Sequence, residues 1–240
     1  AFLLQRIIAD KLDVDPTEIE IADISRKALN DDTDRFVAEI ILTDELPNGS
    51  GFVRHLYKNF EAILSDTILP PAEKVYLKKI HSDSHSGSCY DSCYECLKVY
   101  RNMNYHSLLD WRLALSMMRM MNDETFVCGA DKNFDFVELR GWLDNAIGLR
   151  DSFVQSFGYT HKEEVNGLPI IKWGQDKKNI IAIVHPFWNV ANLNYDENWL
   201  AKTITALRKY KDASGGSLSI IDTFNLHRRP GWCYEKLVIR

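Results

Sequence analysis

Long apolar runs are missing from the 240 residues of this chain, and their absence limits where the protein can act. No stretch approaches the roughly 20 apolar residues that a helix needs to cross a bilayer, and no signal peptide opens the chain. We therefore expect a cytoplasmic protein with no membrane partner. The five cysteines, three of which fall within eight residues, favour a reducing compartment over a disulfide framework.

The motifs of ATP hydrolysis are missing as well. Neither Gly-Lys-Ser/Thr nor Asp-Glu-Ala-His occurs in the sequence, so we expect no ATP hydrolysis by this chain alone. A strongly basic composition is also absent, because the formal net charge is −5. Any contact with nucleic acid must therefore come from local basic patches.

Three of the cysteines lie together in one polar loop. Cys93 and Cys96 form a C-x-x-C pair, Cys89 stands four positions earlier, and His85 stands four before that. Two thiolates separated by two residues can face one ion when the backbone between them turns tightly. The three cysteines supply three ligands of a tetrahedral ion, and His85 is the first candidate for the fourth. His106, just before the next predicted helix, is the alternative.

Other interpretations of these cysteines are a redox dithiol or thiols that are merely buried. A thioredoxin-like pair lies between a strand and a helix with no third thiol nearby, whereas here a third thiol and histidines crowd the same loop. An iron–sulfur cluster prefers four cysteines. The sequence therefore predicts a metal site, with Zn2+ as the metal.

The first half of the chain reads as helices around a small sheet. Helical spacing runs from Phe2 to Leu12, and strand patterns cover 18–21 and 36–43, with an acidic turn between them. The loop Pro47 to Gly51 opens a helix that runs to about Asp66. A helix start after such a glycine loop can bind a phosphate, or the loop can be a purely structural turn.

A further helix follows the cysteines. Ser107 to Asp110 has the S-x-x-D form of a capping box, which predicts a helix that runs to Met121. This run is apolar on nearly every side, so we expect it to be a buried helix or to dock on another domain.

Four segments together carry a resemblance to a known family. They are Asp44 to Phe52, the S-C-Y-x-C-L at Ser92 to Leu97, Tyr100 to Asn102, and the H-x-x-L-D-x-R at His106 to Arg112. The combination resembles the domain of unknown function at the C-terminus of large DEAD/DEAH-type helicases. It is similar to the zinc-binding module of MrfA-like repair helicases and of helicases in bacterial antiphage systems such as DISARM and Druantia. The resemblance covers roughly residues 1 to 122.

This resemblance implies a function without catalysis by the chain itself. It implies a zinc-binding C-terminal region of an ATP-dependent DNA helicase or translocase, active in antiphage defence or DNA repair. The implied partners are helicase motor domains of the same protein or complex, DNA, and other subunits of a defence system.

The second half reads as an α/β domain, after a linker with a short strand at Phe126 to Cys128. The predicted elements, in order, are a helix from a capping box at Asp135 to Glu138 through Phe157, strands at Leu168 to Trp173 and Asn179 to Pro186, a helix capped within Asn194 to Glu197 and ending at Tyr210, and a strand at Leu218 to Asp222. We therefore predict an α+β chain in two domains, a zinc-stapled domain at 1–122 and an α/β domain at 134–240.

The order of elements in the second domain is similar to the core of restriction-endonuclease-like nucleases. Such a site needs an aspartate at the end of one strand and E-x-K on the next, because the carboxylates hold Mg2+ and the lysine steadies the attacking water. The strand at 179–186 has neither a carboxylate nor a lysine. We expect an α/β domain with no catalytic residue, for which a degenerate nuclease-like core is one interpretation, and the alternative function is a divergent metal-dependent nuclease.

The candidate DNA contacts are five basic residues: Lys74, Lys78, Lys79, Arg228 and Arg229. The two arginines stand among aromatic residues and could clamp a phosphate backbone and stack on an unpaired base. They could equally pair with Asp222 or Glu235, or dock against helicase domains.

Overall fold

The computed structural model describes residues 1–28, 36–46, 49–68, 75–192 and 198–238. The chain forms two compact units, a first unit of Ala1–Thr125 and a second unit of Phe126–Arg240. Helices and strands occur in both, which confirms the predicted α+β class. Among the helices in these ranges, none combines the length and the apolar character needed to cross a membrane.

Helix α1, Phe2–Leu12, lies in the interior of the first unit. Its buried residues are Leu3, Leu4, Ile7, Ile8 and Ala9, and this spacing places them on one side of the helix. The helix ends at Asp13, which adopts a left-handed conformation with φ of 56°. The predicted helix is confirmed over its full length.

An antiparallel hairpin follows, made of β1, Ile19–Ala28, and β2, Phe36–Asp44. A register shift between Ile21 and Asp23 marks a bulge in β1. Both predicted strands form, and β1 extends well beyond the four residues expected. The acidic turn predicted between them lies outside the described residues.

The glycine loop prepares the start of α2, Phe52–Ile68. The backbone N–H groups of Gly51 and Val53 donate to the Asp44 carboxylate at 2.8 and 2.9 Å. The anion at this helix start is therefore a side chain of the protein itself, so the phosphate interpretation is not supported and the structural turn is favoured. Gly49 has φ of 65°, and an added Cβ would lie 2.9 Å from Asp44 Oδ2, so the loop requires glycine there.

Three helices surround the cysteine loop: α3, Val75–Ile80, α4, Asp83–Ser88, and α5, Trp111–Asn122. The predicted start of α5 at the Ser107 capping box is wrong. The backbone before it is held in short turns, with Leu108 and Leu109 N–H groups both donating to Tyr105 O. Asp110 is extended at φ −151° and caps the helix by accepting from Leu113 N–H.

Helix α5 is also less completely buried than the sequence predicts. Trp111, Leu115 and Met118 are buried, whereas Met117 and Met121 are 45% and 55% exposed. Contacts of α5 with α1 and α2 cover only one side of it. The exposed methionines stand four residues apart, so they share one face of the helix.

The second unit contains a four-stranded sheet in the order β3, β4, β5, β6. The strands are β3, His161–Val165, β4, Leu168–Trp173, β5, Asn179–Val184, and β6, Leu218–Asp222. The first three form an antiparallel meander, and β6 runs parallel to β5. The predictions of β4, β5 and β6 are confirmed, β3 was not predicted, and the strand predicted at Phe126 to Cys128 does not form.

Helices cover both faces of this sheet, as the continuous burial along β4 and β5 requires. Helix α7, Trp199–Ser214, covers one face, and α6, Trp142–Phe157, covers the other together with α8, Thr223–Arg228, and α9, Pro230–Val238. The predicted α/β layering is therefore present.

The helix starts of the second unit differ from the predictions. Helix α6 begins at Trp142, after Gly141 with φ of 75°, because Asp135 to Glu138 lie in turns rather than in a capping box. Its predicted end at Gly158 is confirmed. Helix α7 is capped by Asn198, and the cap predicted at 194–197 lies outside the described residues. Helices α8 and α9 were not predicted.

Candidate metal centre

The first two donors of the centre lie one helical turn apart. Ser82 caps α4 by accepting from His85 N–H at 3.2 Å, and Cys89 N–H donates to His85 O at 2.8 Å. Residues four apart on a helical turn share one face, so His85 and Cys89 point to the same side. Both side chains are buried.

The other two donors sit on a tight turn. The carbonyl oxygen of Cys93 accepts from the N–H groups of Cys96, Leu97 and Lys98 at 3.2, 3.2 and 2.9 Å. The N–H of Cys93 points inward to Cys96 Sγ at 3.1 Å. This folded backbone is what allows two thiols in a C-x-x-C pair to face one point.

The four donors are spaced as a tetrahedral ion requires. Cys89 Sγ and Cys96 Sγ are 3.9 Å apart, Cys93 Sγ and Cys96 Sγ are 3.6 Å apart, and Cys93 Sγ is 3.7 Å from His85 Nε2. One donor atom from each residue lies within 4.8 Å of all the others. A tetrahedron with zinc–sulfur bonds of about 2.3 Å has edges of about 3.8 Å. The thiols are much too far apart for a disulfide, and all five cysteines of the chain are free.

Electrostatics at the site favour a bound cation. The Cys96 sulfur accepts hydrogen bonds from the Cys89 thiol and from His85, which lowers the pKa of Cys96 to about 4. The pKa of Cys89 is raised, first because its thiol hydrogen-bonds to Cys96 and then because it is buried. His85 Nδ1 is buried without a hydrogen-bond partner among the described residues. The three thiols and the imidazole lie close together and have few other polar partners, as expected of side chains that bind a metal ion.

The first two residues of α5 donate hydrogen bonds to the backbone around the cysteine loop. Trp111 Nε1 donates to Cys89 O at 3.1 Å, and its ring centre lies 4.9 Å from that of His85. Arg112 donates to Tyr90 O at 3.2 Å and to Ser86 O at 2.5 Å. These contacts orient the backbone that carries the ligands, as outer partners of metal sites do. Sequence reasoning missed them, and their only signal was the H-x-x-L-D-x-R motif.

A second support comes from Tyr76 on α3. Its hydroxyl donates to Cys96 O at 3.0 Å, and burial raises the pKa of the phenol. The guanidinium of Arg6 on α1 lies 5.0 Å from the ring centre of Tyr76. The ligand turn is thus tied to two helices that come from elsewhere in the first unit.

His106, the alternative fourth ligand, lies outside the group of donors. Its Nε2 is 3.0 Å from Val99 O and 2.9 Å from Asn102 Oδ1. Asn102 is buried and its side-chain amide donates to Leu97 O at 2.9 Å. His106 therefore braces the segment after Cys96, and the structure gathers His85 with the three thiols instead.

The candidate DNA contacts are distributed over both units. Lys78 and Lys79 are exposed on α3, and Lys79 Nζ lies 3.1 Å from a Glu95 carboxylate oxygen. Arg228 and Arg229 lie at the end of α8, and Lys74 is outside the described residues. The four candidates that the structure describes are therefore divided between the two units, with two in each.

The segment that contains the metal centre matches a known protein family. A family model described as the MrfA Zn-binding domain matches residues 1–97. This part of the first unit is thus similar to the MrfA Zn-binding domain. The match ends one residue after Cys96, so it includes all four donors of the centre, whereas the Trp111 and Arg112 contacts and the whole second unit lie beyond it. No curated protein and no solved structure matches the chain.

The match to the MrfA Zn-binding domain indicates that the metal is zinc, and the four donors agree with this assignment. Three thiolates and one imidazole in a tetrahedral arrangement suit Zn2+. Four protein ligands leave no coordination position for water or substrate, which is the arrangement of structural rather than catalytic zinc sites. The centre would therefore hold the loop and the neighbouring helices together.

We expect the purified protein to contain about one zinc per chain, since structural zinc sites bind tightly at neutral pH. Cys93→Ser should lower the zinc content and destabilise the first unit, because three ligands hold the ion less well than four. Elemental analysis and amide exchange of the first unit are the measurements. Cys233→Ser, which removes a buried thiol of the second unit, is the matched control. Zinc retained after removal of all three loop cysteines would contradict the assignment.

We also expect Trp111→Phe to weaken zinc binding by about ten-fold or more, because the Cys89 carbonyl loses its donor while the ring contact with His85 is kept. Competition with a chromophoric chelator measures this affinity. Trp173→Phe is the matched control, since the Trp173 N–H has no partner among the described residues. Equal zinc affinities for the two variants would show that the Trp111 hydrogen bond does not support the site.

Proposed function

We propose that this chain is the non-catalytic, zinc-stapled region of a DNA helicase or translocase of antiphage defence or DNA repair. In this role it supports DNA binding and docks on motor domains or on partner subunits, while another part of the system hydrolyses ATP. The observation that carries the proposal is the closed four-ligand centre in a segment that matches the MrfA Zn-binding domain. Such a centre provides rigidity, which a docking and guiding region needs.

Residues of the motifs that resemble helicase-associated domains hold the backbone in place and offer no reactive group. Asp44 caps α2, Asp110 caps α5, and Arg112 binds carbonyl oxygens of the cysteine loop. Each of these residues belongs to a motif that resembles the family. Their observed tasks are architectural, which supports a role as a structural module beside a motor.

Docking has a specific candidate surface on the first unit. Met117 and Met121 on α5 are exposed, and Leu108 just before the helix is 59% exposed. Methionine side chains adapt to irregular partners, and they favour contact with another protein surface over contact with water. We propose that this face packs against a motor domain.

The contribution to DNA binding would come from a few exposed cations. Exposed lysines make weak and salt-sensitive phosphate contacts, and the Glu95 carboxylate partly neutralises Lys79. Tethering to a motor raises the local DNA concentration, so weak contacts become effective. We therefore expect weak DNA binding by the chain alone.

In the complete motor-containing protein, we expect charge reversal at Lys78, Lys79, Arg228 and Arg229 to lower DNA-stimulated ATP hydrolysis several-fold. Basal hydrolysis should be unchanged, because the nucleotide site lies elsewhere. Steady-state ATPase assays with and without DNA test this. Lys27→Glu is the control, since Lys27 is also exposed and paired with a carboxylate, Glu39. Unchanged DNA stimulation in the four-site variant would leave docking as the function of the region.

A divergent metal-dependent nuclease is the second candidate function, and the order α6, β3, β4, β5, α7, β6 with parallel β5 and β6 favours it. The side chains near the strand ends oppose it. The Asp222 carboxylate accepts from the Asn225 N–H at 2.8 Å and from its side-chain amide at 2.6 Å. Burial lowers the pKa of His185 to about 3, and its Nδ1 accepts from Phe187 N–H. The Asp222 carboxylate and the His185 imidazole therefore both accept hydrogen bonds that hold the local backbone in place.

We accordingly expect no Mg2+- or Mn2+-dependent DNA cleavage by the purified chain. The described part of the second unit offers no group of three or more histidine, cysteine or carboxylate side chains placed to hold an ion. Incubation of plasmid and single-stranded DNA with either metal is the assay. Cleavage that persists through purification and disappears in Asp222→Ala would establish the nuclease instead.

A further inference from the structure

Trp232 lies on the solvent side of α9, where the core does not need it. The inner side of this helix carries Cys233 and Leu237, which are 2% and 7% exposed and pack with α6 and the sheet. Trp232 is 41% exposed. The other five tryptophans of the chain are buried or half-buried, so this indole is the accessible one.

Two cations lie over the Trp232 ring, and they come from the residues three before it and four after it in the sequence. The guanidinium carbon of Arg229 lies 4.5 Å from the ring centre, and Lys236 Nζ lies 5.6 Å from it. Arg229 is held in place because its Nε donates to Asn225 Oδ1 at 2.7 Å. We call Arg229, Trp232 and Lys236 the Trp232 platform.

The neighbourhood of the platform is basic. Arg228 lies over the Phe224 ring, 4.1 Å from its centre, and adds a third cation to this end of the unit. The Asp222 carboxylate at the start of α8 accepts from Asn225 and contributes one negative charge to this end of the unit. Glu235 is the acidic residue on the exposed side of α9.

This combination fits a ligand that has both a flat ring and negative charge. An unpaired base presents its face to an exposed indole, and the phosphates beside it meet the cations. A DNA duplex presents phosphates but keeps the faces of its bases stacked on one another. We propose that the Trp232 platform stacks an unpaired base, so that the second unit recognises single-stranded rather than double-stranded DNA. This inference rests on the proposed DNA-binding role and specifies its substrate.

The test measures DNA binding by the whole chain at low salt. A labelled oligothymidylate of about 16 nucleotides and a duplex of the same length are compared by fluorescence anisotropy. Trp232→Ala should weaken single-strand binding by about tenfold, as loss of one base stack does. It should leave duplex binding unchanged, and Trp232→Phe should retain most of the single-strand affinity. Tyr57→Ala removes an aromatic ring that is 86% exposed on the first unit and should change neither affinity.

Intrinsic fluorescence gives an independent readout of stacking. Unlabelled oligothymidylate should quench the wild-type emission, and this quenching should be lost in Trp232→Phe, because the remaining tryptophans are less accessible. Equal binding of wild type and Trp232→Ala to the single strand would overturn the platform while leaving the DNA role in place. Equal weakening of both DNAs would also overturn it, since stacking acts on unpaired bases only. Absence of binding to either DNA, even at low salt, would overturn the platform, whereas the ATPase assays in the complete protein test the proposed DNA role separately.

Discussion

The convergence of His85, Cys89, Cys93 and Cys96 on one small volume is the constraint on which the first unit depends. The segment that carries them contains several serines and no aliphatic side chain, so it has little apolar surface to bury. Burial alone would not offset the entropy lost when such a loop is ordered. Ligand bonds to zinc supply the missing free energy, because a site of this kind forms only in the folded chain.

Backbone carbonyl groups of the ligand residues connect the metal centre to neighbouring helices. The carbonyl of Cys89 accepts from Trp111, and that of Cys96 accepts from Tyr76, so the loop is joined to α5 and α3. Helix α5 in turn contacts α1 and α2. The metal centre is therefore joined by hydrogen bonds to helices from other parts of the first unit, even though one short segment forms it.

The second unit is stabilised in a different way. Strands β4 and β5 are buried on both faces between helices, and their sequences are accordingly almost continuously apolar. Such a unit needs no metal to order it, since burial of apolar surface is sufficient. At its periphery, α8 and α9 present cations and an exposed indole. A zinc-ordered module and an apolar α/β unit thus combine two sources of stability in one chain.

The sequence by itself determined the elements whose pattern is local. Helix α1, strands β4, β5 and β6, and the extent of α2 follow from the spacing of neighbouring apolar residues, and the C-x-x-C spacing indicated the metal loop. Tertiary structure decided what the spacing left open: Asp44 rather than a bound phosphate at the start of α2, and Asp110 rather than Ser107 at the start of α5. It also confirmed His85, the first candidate from the sequence, over His106 beside the thiols. Periodicity is a property of adjacent residues. A cap, a ligand set or an exposed face depends on which distant groups the folded chain brings together, and spacing along the sequence does not contain that information.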